Sequence, residues 1–199
     1  MSSLILRGIR CRSTRLRPCL GPRAPISRSS FNVAEDSIKE QKYLYSKTII
    51  GTTSEIYDVI SEVSKYQEFI PFCIESFVNK RSPQDNTPIE AGLRVGFQQY
   101  DDKFVCEVKC EDSREPIGGY SVEATSLSHN LFYFLYAQWL IKPHTTRKNS
   151  SEVELLMRYK LKSPLYNAVS SIFAKSATTL VMKAFERRVH ETKRKNHVR

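Results

Sequence analysis

The chain has no acidic residue before Glu35, no apolar run longer than eleven residues, no Cys-x-x-Cys pair and only one tryptophan. It also lacks HExxH, GxSxG, GxGxxG and the phosphate-binding P-loop. Each absence excludes something. The longest apolar stretch, Leu131–Ile141, contains Gln138 and falls far short of the roughly 20 residues that span a bilayer. Leu4–Leu6 is too short for the apolar core of a secretory signal. His129, His144, His190 and His197 are dispersed, so no metal-ligand spacing stands out. The one carboxylate pair, Asp101-Asp102, falls between two strand patterns and reads as a solvated turn. No catalytic residue, metal or catalytic cofactor is expected.

The missing acid at the front is informative. Residues 1–30 hold seven arginines and many serines, with Leu4, Ile5, Ile9 and Leu16 scattered among them. An Arg-rich, Ser-rich, acid-free leader is the composition of a mitochondrial transit peptide, drawn inward by a membrane potential that is negative inside. A basic arm that binds nucleic acid is the other reading of such a segment. Beyond it, 24 Lys and Arg face 21 Asp and Glu, so the net charge of +10 belongs mostly to the leader. Cys73, Cys106 and Cys110 then remain, an odd number. Cys106 and Cys110 sit about 13 Å apart along one strand face, beyond disulfide reach, and read as small core residues in a reducing compartment.

What is present is order and grease. Residues 43–50 alternate as a strand. Thr52 with Glu55 forms a capping box ahead of Ile56, Val59, Ile60 and Val63 at helical spacing. A second strand is expected over Phe77–Lys80, then further strands carrying Val95 and Phe97, Phe104–Cys110, Tyr120–Ala124, Leu131–Ile141 and Val153–Leu161. From Pro164 the apolar spacing switches to three and four for some 25 residues, through Ile172, Phe173, Leu180, Val181 and Phe185. This order predicts an α+β fold, a curved antiparallel sheet wrapped around one long C-terminal helix. The domains are a leader over 1–30, a linker over 31–42, a folded unit over 43–192 and a basic tail over 193–199.

Aromatics make up 11% of the chain and cluster at 66–77, 97–104 and 132–139. A filled core is the usual reason for such clusters. Leu131–Ile141 is apolar on both faces, however, and so is the turn at 69–72, which is more apolar surface than a small one-sided sheet needs. A lipid ligand or a membrane contact accounts for the surplus.

Together YDVISEVSKYQEFIPFC (57–73), VGFQQYDDKFVCEV (95–108), the strand bearing Trp139 and the AFERR run (184–188) resemble the mitochondrial coenzyme Q-binding START-domain proteins. The resemblance covers roughly residues 43–190. Two positions depart from the family: Phe72 stands where Trp is usual, and LFYFLYAQWLI is greasier than the usual central strand. The resemblance implies a helix-grip fold with a hydrophobic cavity that binds ubiquinone. It implies a carrier or chaperone, not a catalyst, supporting respiratory electron transport and quinone synthesis. The implied place is the matrix side of the inner mitochondrial membrane, and the implied partners are respiratory complexes or quinone-biosynthesis enzymes, with no nucleic acid expected. The alternative is a ribosome- or RNA-associated protein, because bacterial relatives include ribosome association toxins.

Alternation and helical phase name the expected ligand-binding residues. On the strands these are Val95, Phe97, Phe104, Leu135, Trp139, Val153 and Met157. On the long helix they are Ile172, Phe173 and Leu180, with Phe69, Pro71 and Phe72 across the cavity mouth as a gate. Lys193, Arg194 and Lys195 are the expected membrane contact. The leader generates a direct test: residues 1–30 fused to a cytosolic reporter should carry it into mitochondria, and a reporter that stays in the cytosol contradicts the expectation.

Overall fold

Strand β1 (Gln41–Ile50) opens the sheet with alternating burial; Ile49, its penultimate residue, is fully buried. The computed structural model describes residues 40–197 except 98–99, 114–117, 128–131 and 163; side chains at 97, 100, 113, 161, 164–177 and 196–197 also lie outside the description. The leader expected over residues 1–30 therefore lies outside the described residues. Helix α1 (Thr53–Ser61) starts on the expected capping box. Thr52 Oγ1 accepts from Glu55 N–H, and the Glu55 carboxylate accepts from Thr52 N–H at 2.8 Å. A 3-10 turn over Val63–Glu68 follows.

Strands β2 (Cys73–Arg81), β3 (Pro88–Phe97), β4 (Tyr100–Ser113), β5 (Gly119–Ser126), β6 (Phe132–Pro143) and β7 (Ser150–Leu161) then run as an antiparallel meander. The sheet order is β1-β7-β6-β5-β4-β3-β2. The expected order of elements is thus observed. Two local expectations are corrected. Strand β2 starts four residues earlier than Phe77, and Asp101-Asp102 belong to β4 instead of a turn. Asp101 is held in the ladder by Arg94 on β3, whose Nε and Nη2 donate to its two carboxylate oxygens at 2.7 and 2.6 Å.

Helix α2 (Pro164–His197) covers the inner face of the sheet. Its buried stripe is Thr178, Met182, Phe185 and Val189, a four-three-four spacing. Leu180 is rotated about 200° from both Thr178 and Met182 and is 43% exposed, so the expectation that it faces the sheet is corrected. The error lay in the phase: Leu180 fits a three-four series, but the stripe is anchored by Phe185. Ion pairs fasten the same half of α2. Glu186 accepts from Lys47 of β1 at 2.5 Å, Arg188 pairs with Glu68, and Lys193 pairs with Glu55 at 2.9 Å.

Gly92 lets the sheet close up on its outer side. A Cβ there would lie 2.2 Å from the ring of Phe77 on β2 and 2.6 Å from the Phe104 carbonyl on β4. Phe77 occupies that space instead and carries the Lys103 ammonium 4.1 Å from its ring centre. Gly92→Val should therefore cost at least the ~1–3 kcal/mol of an overpacked site, read as a lowered chemical-denaturation midpoint. An unchanged midpoint would show that Phe77 gives way freely.

Candidate ligand cavity

Phe185 is the centre of the inner face. It is 2% exposed, and three aromatic rings meet it at steep angles: Trp139 at 4.7 Å, Tyr66 at 5.1 Å and Phe69 at 5.1 Å between centroids. The aromatics of 66–69 are thus covered by α2. The Tyr66 hydroxyl donates to the Ile60 carbonyl, which ties the 3-10 turn to α1. The Arg188 guanidinium lies 5.4 Å from the ring centre of Phe69 while pairing with Glu68.

The buried side chains do not form one continuous core. The larger cluster surrounds Phe185, Trp139, Ile141, Val153 and Leu155. A smaller one joins Cys106, Leu135 and Tyr159, with Tyr43, Phe104 and Phe132 against it. A cavity of about 200 Å³ lies between them. Its walls come from every strand of the meander's middle. Ala91 and Leu93 of β3, Cys106 and Val108 of β4, and Val122 and Ala124 of β5 form one side. Ala137 and Trp139 of β6 with Leu155 and Met157 of β7 continue it. Val63, Tyr66 and Ile70 close one end, and Val181 and Phe185 of α2 form the lid. Small residues leave the space: Ala91, Ala124 and Ala137 stand where larger side chains would fill it.

The expected site residues fall into groups. Phe104, Leu135, Trp139 and Met157 line the cavity. Val153 is fully buried in the larger cluster instead of lining the void. Val95 is half-buried on β3, two residues beyond the lining residue Leu93. Phe69, expected at the gate, is 8% exposed and packs on Phe185 of α2, and its neighbour Ile70 takes the lining position. Pro71 and Phe72 are half-buried beside it. Phe72 has φ of 66°, a left-handed backbone uncommon for a bulky residue, and its carbonyl accepts from Gly96 N–H at 2.9 Å. The side chains of Phe97, Ile172 and Phe173 lie outside the described residues. Leu180 points away from the sheet. Lys193, expected as a membrane contact, pairs with Glu55 and is largely covered, whereas Arg194 and Lys195 are exposed. Among the lining residues that the predicted site lacked are Val63, Ile70, Ala91, Leu93, Ala124 and Phe185. The pairing of Phe185 with the 66–70 aromatics joins segments more than a hundred residues apart, and no local period shows it.

Chemically the lining is almost featureless. Among the described residues no carboxylate, imidazole, amine or guanidinium lines the cavity, and no cluster of metal-ligating side chains occurs. No described helix is long and apolar enough to cross a membrane. Burial pushes the Cys106 thiol up to about 12, and those of Cys110 and Cys73 up to about 11. Protonated thiols behave as small apolar wall.

Residues 52–186 match the family described as polyketide cyclase/dehydrase and lipid transport. The chain is 49% identical over 170 residues to the coenzyme Q-binding protein COQ10, mitochondrial, of Saccharomyces cerevisiae, covering 84% of this chain and 81% of that one. It is 20% identical over 149 residues to the ribosome association toxin RatA of Rickettsia prowazekii, covering 75% of this chain and 96% of the toxin. A START superfamily protein from Mycobacterium smegmatis superposes with a TM-score of 0.64 at 15% identity, over 76% of this chain and 98% of the other. The shared architecture is the START-like helix-grip fold.

The thiols give a titration test. Free thiols in an unfolded chain ionise near 8.5, and these three ionise higher in the fold. Their contribution to stability is therefore complete below that value and lost as pH rises past it. Residue-resolved alkylation at pH 8 should be slow at Cys73, Cys106 and Cys110 and fast after unfolding. Rapid labelling of native Cys106 would contradict its burial.

Proposed function

The chain belongs to the mitochondrial coenzyme Q-binding proteins of the polyketide cyclase/dehydrase and lipid-transport family, and on that premise we propose that it binds ubiquinone in the cavity beneath α2. The observation that carries this reading is an apolar void between two packed clusters, walled by alanines where a filled core would have larger side chains. It is a carrier or chaperone in this reading and not a catalyst; the described lining offers no carboxylate, imidazole or amine for a cyclase-like reaction. It works at the matrix face of the inner mitochondrial membrane, in support of respiratory electron transport and quinone synthesis.

The energetics favour partial enclosure. Burying a CH₂ group is worth about 0.8 kcal/mol, so a five-carbon prenyl unit is worth roughly 3–4 kcal/mol. Pockets for drug-sized ligands measure about 300–1,000 Å³, more than this void. Only a few units of a long tail fit without α2 or the adjoining turn shifting. The lipid also leaves one apolar phase for another, so its net transfer free energy lies near zero, and reversible loading follows. The ribosome or RNA alternative has less behind it: the C-terminal basic run is one charge poorer with Lys193 engaged by Glu55.

Filling the void separates ligand site from core. Ala124→Leu with Ala137→Leu should keep or raise stability, as cavity filling does, and should abolish quinone that co-purifies with the wild-type chain. Undiminished quinone per folded molecule in the filled variant would place the ligand elsewhere.

A further inference from the structure

The outer face of the sheet is polar along most of its length, with Glu107 and Lys109 on β4, Glu123 on β5, and Glu152 and Arg158 on β7 exposed or half-exposed. At one end it turns apolar. Leu127 is 50% exposed and Tyr133 43%. Leu127 extends the β4–β5 ladder, its N–H donating to the Val105 carbonyl at 2.8 Å. Thr125 pairs with Tyr136, so two residues further on Leu127 comes level with Phe134.

A register break makes this patch. Between Phe132 and Phe134 the β6–β7 pairing shifts by one residue. Phe132 packs inward on Phe104 at 5.6 Å and Tyr159 at 6.0 Å. Leu135 is buried again, which leaves Tyr133 and Phe134 together on the outer side. Lys160 pairs across from Phe134, and its ammonium lies 5.4 Å from the Tyr133 ring centre; that of Lys162 lies 5.9 Å away. No described carboxylate forms an ion pair with either lysine.

We infer that this end of the sheet, centred on Leu127, Tyr133, Lys160 and Lys162, docks on an anionic bilayer surface. The inference rests on the reading that the chain exchanges a membrane lipid. Tyrosine with an apolar body and polar tip, flanked by lysines whose stems lie along apolar surface, suits the headgroup layer. Unneutralised lysines supply the attraction to anionic lipid. A second copy fits poorly, because a two-fold contact through this patch sets the same lysines against each other. The patch also sits behind the cavity: Phe134 faces out and its neighbour Leu135 lines the void. Docking here, and not through Arg194 and Lys195 at the far end of α2, brings the cavity wall within one sheet thickness of the bilayer.

The test is flotation of the full chain with vesicles of phosphatidylcholine alone and of phosphatidylcholine mixed with phosphatidylglycerol. Lys160→Gln/Lys162→Gln should weaken binding to the mixed vesicles roughly thirty-fold, from ~1 kcal/mol per charge, and leave co-purifying quinone unchanged. Leu127→Ser/Tyr133→Ser should weaken binding to both kinds. Arg194→Gln/Lys195→Gln should bind as wild type. Normal binding by the Lys160/Lys162 variant, or a loss that follows Arg194 and Lys195 instead, overturns the inference. So does a dimer in sedimentation that Leu127→Ser/Tyr133→Ser dissolves. Vesicle binding as expected with no quinone in the wild-type chain supports the docking surface and sinks the quinone reading alone.

Discussion

The inner face of a seven-stranded antiparallel sheet has to be covered, and here α1 and α2 share that work, with α2 fastened through one aromatic side chain. Phe185 meets Trp139 of β6 and Tyr66 and Phe69 of the segment after α1, so it joins three parts of the chain at a single buried point. Truncating it would remove a fully buried ring, a loss of about 3–5 kcal/mol, and would uncouple the helix from the turn. The ion pairs of Glu186, Arg188 and Lys193 lie on the same half of α2. They are partly exposed, and surface pairs contribute little each. They fix the direction of the helix more than its affinity for the sheet.

The cavity follows from that anchoring. Phe185 holds α2 at a distance set by aromatic rings, while the strands opposite present alanine and protonated cysteine. Large side chains at one end and small ones in the middle leave a gap that close packing would otherwise erase. The described lining is almost wholly apolar. Such a space favours a hydrocarbon over water. The same bulge that sends Phe132 into the smaller cluster sends Tyr133 and Phe134 outward, so one irregularity in β6 serves both faces.

Much of this was legible in the sequence where the signal is local. Alternation fixed which faces of β6 and β7 turn inward, and Thr52 with Glu55 marked the start of α1. Cys106 reads as core from its strand period alone. The failures share a cause. Leu180 fits the helical period yet points outward, because periodicity gives spacing but not which of two adjacent phases meets the sheet. Phe185 as the partner of Phe69 could not be named because it lies far along the chain. The Lys193–Glu55 pair was not foreseen because Glu55 is equally remote. Asp101 stays in β4 through its pairing with the adjacent hairpin strand β3, where local composition suggests a turn.

The central claim is that the void beneath α2 takes a prenylated quinone, and the chain carries its own probe. Trp139 is the sole tryptophan and lines the cavity against Phe185. Titrating the purified, delipidated chain with ubiquinone and following tryptophan emission reads occupancy at the wall itself, because a quinone in contact with indole quenches it. The account predicts saturable quenching with one quinone per chain, lost when Ala124 and Ala137 are enlarged. Quenching that stays linear in quinone, no stronger than for free tryptophan in the same mixture, would contradict it.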